Sequence, residues 1–455
     1  MANCCNPFFG IVTSRTPALE IRRRPIPDQG GVIVVTSLLL FLAVPCHRAA
    51  AINGVYPVRD VKPRVVCSGG AVLKHILTLR SHTRARLIPG IVWTGPRQIV
   101  AEDSLSRLVR WNFSGKVVQN VSKPVHTRPG GITLGLFKSL GGAVSASLVS
   151  NGPNRNTALK LDILSAQALS AGSRISGREL RSVSVPDYGL EGKLNFFSLV
   201  VPPRAAWLAT IPAGPAAPGS RIRLWRFGTG KPLRWSVRLL EPENRGFATD
   251  DGSYLAWVSF GHWVRMLRVR GPGHGFTKVH VIGPDLQYGA FSPDGRIMVL
   301  EAGGTSSILG GKVQLISLRS DSPARERVLG LWGRAYRAVP VCPPAFSQNG
   351  KLLVAATLRL GSKWPVGIWV ISARSFTTLC YLGIRNDLPE RIAFSTGRSE
   401  LAVQCWYHVF VFRLPKRFPS RSQRIFHEPK WFNMWTSPKT IMFPPQRTAA
   451  QSNAK

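Results

Sequence analysis

The densest chemistry in this 455-residue chain sits at its C-terminal end. Between residues 416 and 455, Lys416, Arg417, Arg421, Arg424, Lys430, Lys439, Arg447 and Lys455 stand against Glu428. Phe418, Phe426, Trp431, Phe432, Trp435 and Phe443 are interleaved with them. Cations alternating with aromatic rings suit a polyanion: the cations neutralise it, and the rings stack on bases or sink into a membrane interface. Arg417, Arg421, Arg424, Trp431 and Trp435 are therefore the candidate contacts to a partner. In the competing reading, the same rings cover an apolar patch on the flank of a folded domain.

Little else has the spacing of a catalytic or metal site. The nine histidines form no H-E-x-x-H, and His274 and His280 would share a strand face without carboxylate support. Gly228-Thr229-Gly230-Lys231 is followed by Pro232 where a phosphate loop needs Ser or Thr. Gly271-Pro272-Gly273-His274-Gly275 is a glycine-rich turn with no helix after it, and no G-x-S-x-G elbow occurs. Seven cysteines contain no C-x-x-C pair. Cys67, Cys342, Cys380 and Cys405 allow up to two disulfides, but buried thiols are the default reading, since Cys380 and Cys405 lie inside apolar runs. Most of the 13 tryptophans, Trp111, Trp225 and Trp369 among them, fall mid-strand at repeat-equivalent places and read as core. The expectation is a non-catalytic protein with no cofactor and no metal.

Charge bears on partners more than on fold. Sixty Lys and Arg against 22 Asp and Glu give a net charge of +38, which favours anionic proteins, polysaccharides, membrane surfaces or nucleic acid. The charge is spread along the chain, so ordinary surface use of Arg is an equal contender. Candidate pairs outside the tail are Arg84/Arg86 and Arg221/Arg223, read as loop residues, and the strand set Arg265/Arg268/Arg270. Arg265 and Arg268 are an odd number apart and face opposite sides of one strand.

Residues 1–60 read as a signal peptide or membrane anchor. Arg22-Arg23-Arg24 precedes the apolar run 32–46, and Ala49-Ala50-Ala51 follows it: a basic region, a short apolar stretch and a small-residue site. The run is short for a membrane span, which needs about 20 residues. An exported or membrane-anchored protein is expected, with the cytoplasm as the alternative. Export makes nucleic acid the weaker choice of partner.

The strongest signal is repetition. Ala290-Phe-Ser-Pro-Asp-Gly-Arg296, Ala345-Phe-Ser-Gln-Asn-Gly-Lys351 and Ala393-Phe-Ser-Thr-Gly-Arg398 each lead into an apolar run, and Phe247-Ala-Thr-Asp-Asp-Gly252 does the same. Phe247, Phe291, Phe346 and Phe394 recur at steps of 44, 55 and 48 residues. Asp or Asn before Gly tolerates the positive φ of a tight hairpin. A second element follows in each unit, an alternating strand such as Leu108–Phe113, Ile222–Phe227, Val313–Leu318 or Val409–Phe412. Units of 40–50 residues with four short strands are propeller blades. They fall at 88–125, 130–185, 194–240, 244–283, 286–335, 342–383 and 388–415. The last unit shows three strands, and Ala71–Leu79 supplies the missing fourth, closing the ring. The fold expected is all-β: a seven-bladed β-propeller of four-stranded antiparallel blades, closed by an N-terminal strand.

Phe-Ser-Pro-Asp-Gly-Arg and the strand with Trp and a polar Gly-Lys turn resemble WD40 and related YVTN-type β-propeller repeats over residues 67–415. The pattern departs from WD40 at two places. Trp111 is followed by Asn112 and Trp225 by Arg226, and no Gly-His pair stands between blades. The family's buried Asp-His-Ser/Thr-Trp network is accordingly not expected. The resemblance implies a scaffold that binds a protein or other macromolecule on its faces. The rival is a quinoprotein-like or polysaccharide-acting enzyme, which would need Arg, His and carboxylate side chains converging on the central channel.

Overall fold

A computed structural model of the chain describes residues 63–415 other than 68–72, 81–84, 125–131, 140–141, 151–156, 171–179, 186–196, 213–220, 228, 239–242, 260–262, 270–275, 281–285, 303–311, 320–321, 332–337, 360–365, 385–386 and 396–398. The signal-like segment 1–60 and the tail 416–455 lie outside the described residues. Two strands precede the blades, β1 (Arg64–Cys67) and β2 (Lys74–Arg80). Blade 1 holds β3 (Leu87–Gly95), β4 (Gln98–Asp103), β5 (Arg107–Asn112) and β6 (Val118–Pro124). Blade 2 holds β7 (Ile132–Ser139), β8 (Gly142–Ser150), β9 (Thr157–Ser165) and β10 (Leu180–Val185), with the short helix α1 (Ala166–Ser170) after β9. Blade 3 is β11 (Phe197–Val200), β12 (Trp207–Pro212), β13 (Arg221–Arg226) and β14 (Pro232–Arg238). Blade 4 is β15 (Glu243–Ala248), β16 (Tyr254–Ser259), β17 (Trp263–Arg268) and β18 (Phe276–His280). Blade 5 is β19 (Leu286–Phe291), β20 (Ile297–Ala302), β21 (Lys312–Arg319) and β22 (Ser322–Gly330). Blade 6 is β23 (Ala338–Phe346), β24 (Leu352–Arg359), β25 (Val366–Ser372) and β26 (Thr377–Ile384). Blade 7 is β27 (Pro389–Phe394), β28 (Glu400–Cys405) and β29 (His408–Arg413), completed by β2. All pairings are antiparallel, as meandering hairpins require. The protein is a seven-bladed β-propeller.

The repeated turn is built by its own side chains. In blade 5 the Ser292 hydroxyl accepts from the Ile297 amide (2.9 Å) and donates to Asp294 Oδ1 (2.5 Å). Blade 6 repeats this with Ser347, Leu352 and Asn349 at 2.9 Å for both bonds. In blade 4 the Thr249 hydroxyl accepts from the Tyr254 amide at 3.0 Å. Gly252, Gly295 and Gly350 close these turns at φ of 71°, 69° and 67°, where a Cβ is disfavoured. Burial pushes the Asp294 carboxyl up, but hydrogen bonds from Ser292 and the Arg296 amide, with the nearby Arg296 charge, hold it below its usual range.

The core is divided into seven apolar clusters, one at each junction between consecutive blades. Alternation along a strand explains how one strand feeds two of them. Met298, Leu300 and Ala302 of β20 pack with blade 4, whereas Val299 packs with blade 6. Trp111, Trp225 and Trp369 are at most 3% exposed and lie in these clusters. Trp111 and Trp225 are equivalent, each one residue before the end of the third strand's pairing with the second. Trp369 sits two residues earlier, since Ser372 fills the place of Asn112.

Ring closure follows the expected route and adds one feature. Strand β2 pairs with β29, and Leu79 packs with Val411 of blade 7 and Ile99 of blade 1. The Trp93 indole of blade 1 donates to the Ala393 carbonyl of blade 7 at 3.3 Å. Strand β1, not foreseen from the sequence, adds a fifth strand to blade 6 by pairing with β26. Cys67 stands opposite Cys380 in that register, and the two form a disulfide across 313 residues of chain. The default reading of buried thiols is thus corrected for this pair, because a strand joining the blade edge brings the two residues face to face. It holds for Cys342 and Cys405, both free and buried. Arg221 and Arg223 also differ from expectation: they lie in strand β13, not in a loop. Arg265 and Arg268 face opposite sides as expected. Arg265 alternates with Met266, which packs towards blade 5, and Arg268 with Leu267, which packs towards blade 3.

Candidate site at one end of the channel

The first strand of each blade is innermost, and β3 lies beside β7 and β27, as β19 lies beside β15 and β23. One level of this inner ring is fixed by equivalent residues on the second strands. Turn carbonyls of Arg97, Ala206, Ser253, Arg296, Lys351 and Ser399 accept from an amide at or just past the end of the third strand in six blades. Five residues after each stand Glu102, Ile211, Val258, Glu301, Ala356 and Gln404. Pairing of Phe137 with Val144 puts Ser147 at that place in blade 2.

The polar members of this set tie each blade to the next. Gln404 of blade 7 reaches blade 1, where its Nε2 donates to the Ile88 carbonyl (2.5 Å) and its Oε1 accepts from the Gly90 amide (3.0 Å). Glu102 of blade 1 accepts from the Ser145 hydroxyl of blade 2 at 2.6 Å. Burial first, then the neighbouring Asp103 and Asp162 charges, raise the Glu102 carboxyl to about 8 against the pull of the Ser145 bond. Glu301 is fully buried between blades 5 and 6, and neither of its oxygens has a hydrogen-bond partner among the described residues. Burial raises its carboxyl well above the usual range, and the nearby Ala356 amide only partly opposes this. Replacing Gln404 with Leu is expected to destabilise the fold by about 2–4 kcal/mol, because it orphans the Gly90 amide and the Ile88 carbonyl in a dry junction. Urea unfolding measures this, and a loss under about 0.5 kcal/mol would refute the tie.

Opposite these residues, on the innermost strands and on the same sheet faces, stand the groups at the inner edge of each junction. Tyr288 pairs with Glu301, Cys342 with Ala356, Arg391 with Gln404 and Ser198 with Ile211. Arg245 stands at the bulge opposite Val258. The Arg245 guanidinium lies 3.9 Å over the Tyr288 ring, whose hydroxyl donates to the Val341 carbonyl at 3.3 Å. Arg245 is exposed, and Tyr288 and Arg391 are half-buried. Burial pushes the Tyr288 hydroxyl up and the Arg391 guanidinium down. Burial also raises the Cys342 thiol far above its usual range, so it is not an activated nucleophile. On the far side of the ring the backbones close up: a Cβ at Gly90 would stand 2.0 Å from the Leu136 carbonyl oxygen.

The same end carries a second group around blade 7. Arg86 forms an ion pair with Glu390 and lies 4.3 Å over the Trp406 ring. His408 Nδ1 and Asp387 Oδ2 meet at 2.7 Å in a buried pair, and burial raises the Asp387 carboxyl. The Trp225 indole donates to Thr210 (3.1 Å) and the Trp369 indole to Thr357 (3.2 Å). An Asp-His pair in blade 7 and Thr-Trp pairs in blades 3 and 6 are thus present separately, and among the described residues no blade joins the four into the family's network. They escaped notice because Asp387 and His408 occupy other positions than the Gly-His and Trp-Asp pairs.

None of the tail residues Arg417, Arg421, Arg424, Trp431 and Trp435 is among the described residues. Of the other candidates, His280 ends β18 while His274 lies outside the description. Among the described residues, no three His, Cys, Asp or Glu side chains come together as a metal site, and no helix is long and apolar enough to cross a membrane. Compared with the known protein families, the chain matches none, and no curated protein matches it either.

Proposed function

We propose that this propeller is a non-catalytic, WD40-like binding scaffold, exported or membrane-anchored, whose partner is an anionic protein or other anionic macromolecule. The observation that carries the reading is the channel end: Arg245, Tyr288 and Arg391 gather there on strands that a closed ring holds rigid. Burial raises the nearby Glu301 carboxyl and Cys342 thiol well above their usual ranges, which suits recognition better than acid–base or nucleophilic chemistry. The Trp225–Thr210 and Trp369–Thr357 hydrogen bonds support the WD40-like type. The Cys67–Cys380 disulfide supports an oxidising compartment, and with it export. Binding of the full chain to heparin and to polyglutamate across a salt series tests the reading. Affinity should fall steeply with salt, as counterions are released. Salt-independent binding would reject the role of charge. Unchanged affinity after deletion of residues 416–455 would reject the tail as anchor and leave the channel end as the contact.

Arg245 and Arg391, which would hold the carboxylates of an acidic sugar chain, also favour a second reading, an enzyme acting on an acidic polysaccharide. Release of reducing ends from a polyuronate incubated with the protein would establish it in place of the first.

A further inference from the structure

We infer that the channel end holds a binding site for a single oxyanion group, gripped by Arg391 and by the Arg245 that lies against Tyr288. The inference rests on the binding reading above and names the chemistry of its site. The two arginines and the tyrosine come from blades 7, 4 and 5 at one level of the inner ring. The Arg245 guanidinium lies 3.9 Å over the Tyr288 ring, and the Arg391 charge is near enough to act on the Tyr288 hydroxyl.

Charge balance makes that level a site. Among the described side chains, neither Arg245 nor Arg391 has an ion-pair partner. The carboxylates at this end are otherwise engaged: Glu390 is held by Arg86, Asp387 by His408, and Glu301 is fully buried, with its carboxyl pushed up by burial. Arg391, drawn partly away from bulk water without a counter-ion, carries a penalty that a bound anion would remove. The Arg245 plane stacked on Tyr288 is pre-oriented, and the planar fork of each arginine matches the paired oxygens of a carboxylate, sulfate or phosphate. Across the ring, the closely packed backbones at Gly90 and Gly135 leave no bulky side chain at those positions to fill the space. An oxyanion reaches this level either free or on an acidic side chain of a partner segment entering the channel.

Calorimetric titration of the full chain at low salt with inorganic sulfate and with a blocked tetraglutamate peptide separates the two sources. Binding of sulfate alone marks a free-anion site, binding of the peptide marks a side-chain site, and either supports the inference. Arg391→Gln should weaken the bound probe roughly 10- to 100-fold, and Arg391→Lys, which keeps the charge and loses the fork, should fall between. Lys116→Gln, at an exposed lysine in blade 1, should leave affinity unchanged. Without ligand, Arg391→Gln should melt no lower than the parent protein, since it removes an uncompensated charge; a purely structural arginine would lower the melting temperature. Should Arg391→Gln fail to fold, Arg245→Gln carries the same test. Failure of both probes to bind, or equal binding by the Arg391 and Arg245 variants, overturns the site. Polyglutamate retained in that event shows that the scaffold reading survives it.

Discussion

A chain lacking residues 1–80 is expected to lose its cooperatively folded monomer. Deletion removes β2, and blade 7 is left with three strands and a bare β29 edge whose His408–Phe412 run is wholly buried in the closed ring. It also removes Leu79, 1% exposed, from the junction that joins blade 7 to blade 1. An unpaired apolar edge invites pairing with other chains, so aggregation should accompany the loss. Two milder variants grade the effect. Leu79→Asp places a carboxylate in an apolar cluster and should destabilise by more than about 4 kcal/mol. Cys67→Ser keeps the ring and loses only the cross-link, which should cost about 2–5 kcal/mol. Urea unfolding and sedimentation of the three variants measure this, and a stable monomer without residues 1–80 would refute closure by β2.

The blades were legible because each carries its instructions locally. Ser292-Pro-Asp-Gly295 specifies its turn through its own hydroxyl, carboxylate and glycine, and Ser347-Gln-Asn-Gly350 repeats it. Strand β2 was legible for a different reason: its alternating Leu77 and Leu79 had no partner within their own stretch, while the last unit lacked a strand. Strand β1 was not, since Arg64-Val-Val-Cys67 is only four residues long and pairs across more than 300 residues of chain.

The channel end was illegible because nothing local marks it. Arg245, Tyr288 and Arg391 belong to three repeats, and only the ring brings them to one level. Their relation is present in the sequence: each stands four residues before Thr249, Ser292 or Ser395, the hydroxyl residue of its turn. Reading the repeats in register would have exposed this set. Counting charges along the chain did not, because Arg86, in the same count, is neutralised by Glu390.

Stability is expected to fall as pH rises from about 4.5 to about 8, and Glu102→Gln should flatten part of that fall. Burial between blades 1 and 2 raises the Glu102 carboxyl from 4.5 to about 8, so across this window the folded protein holds a proton that the unfolded chain has released. Wherever the native state binds more protons, unfolding becomes easier as pH rises. The stabilisation is full below about 4.5 and is lost as pH passes through 8, by up to about 1.4 kcal/mol per pH unit. Over the whole window that is on the order of 5 kcal/mol for this one group. Above pH 8 an ionised Glu102 would face the Asp103 and Asp162 charges in a junction that water does not reach. Glutamine keeps an oxygen for the Ser145 hydroxyl and has no proton to lose. The variant should therefore match the parent protein near pH 4.5 and exceed it near pH 8.5. Glu301, Asp387 and Glu390 are raised too and tilt the curve the same way, so the variant reduces the slope without abolishing it. Urea unfolding at half-unit steps of pH reads the difference directly, and parallel curves for the two proteins would show that Glu102 is ionised in the folded state.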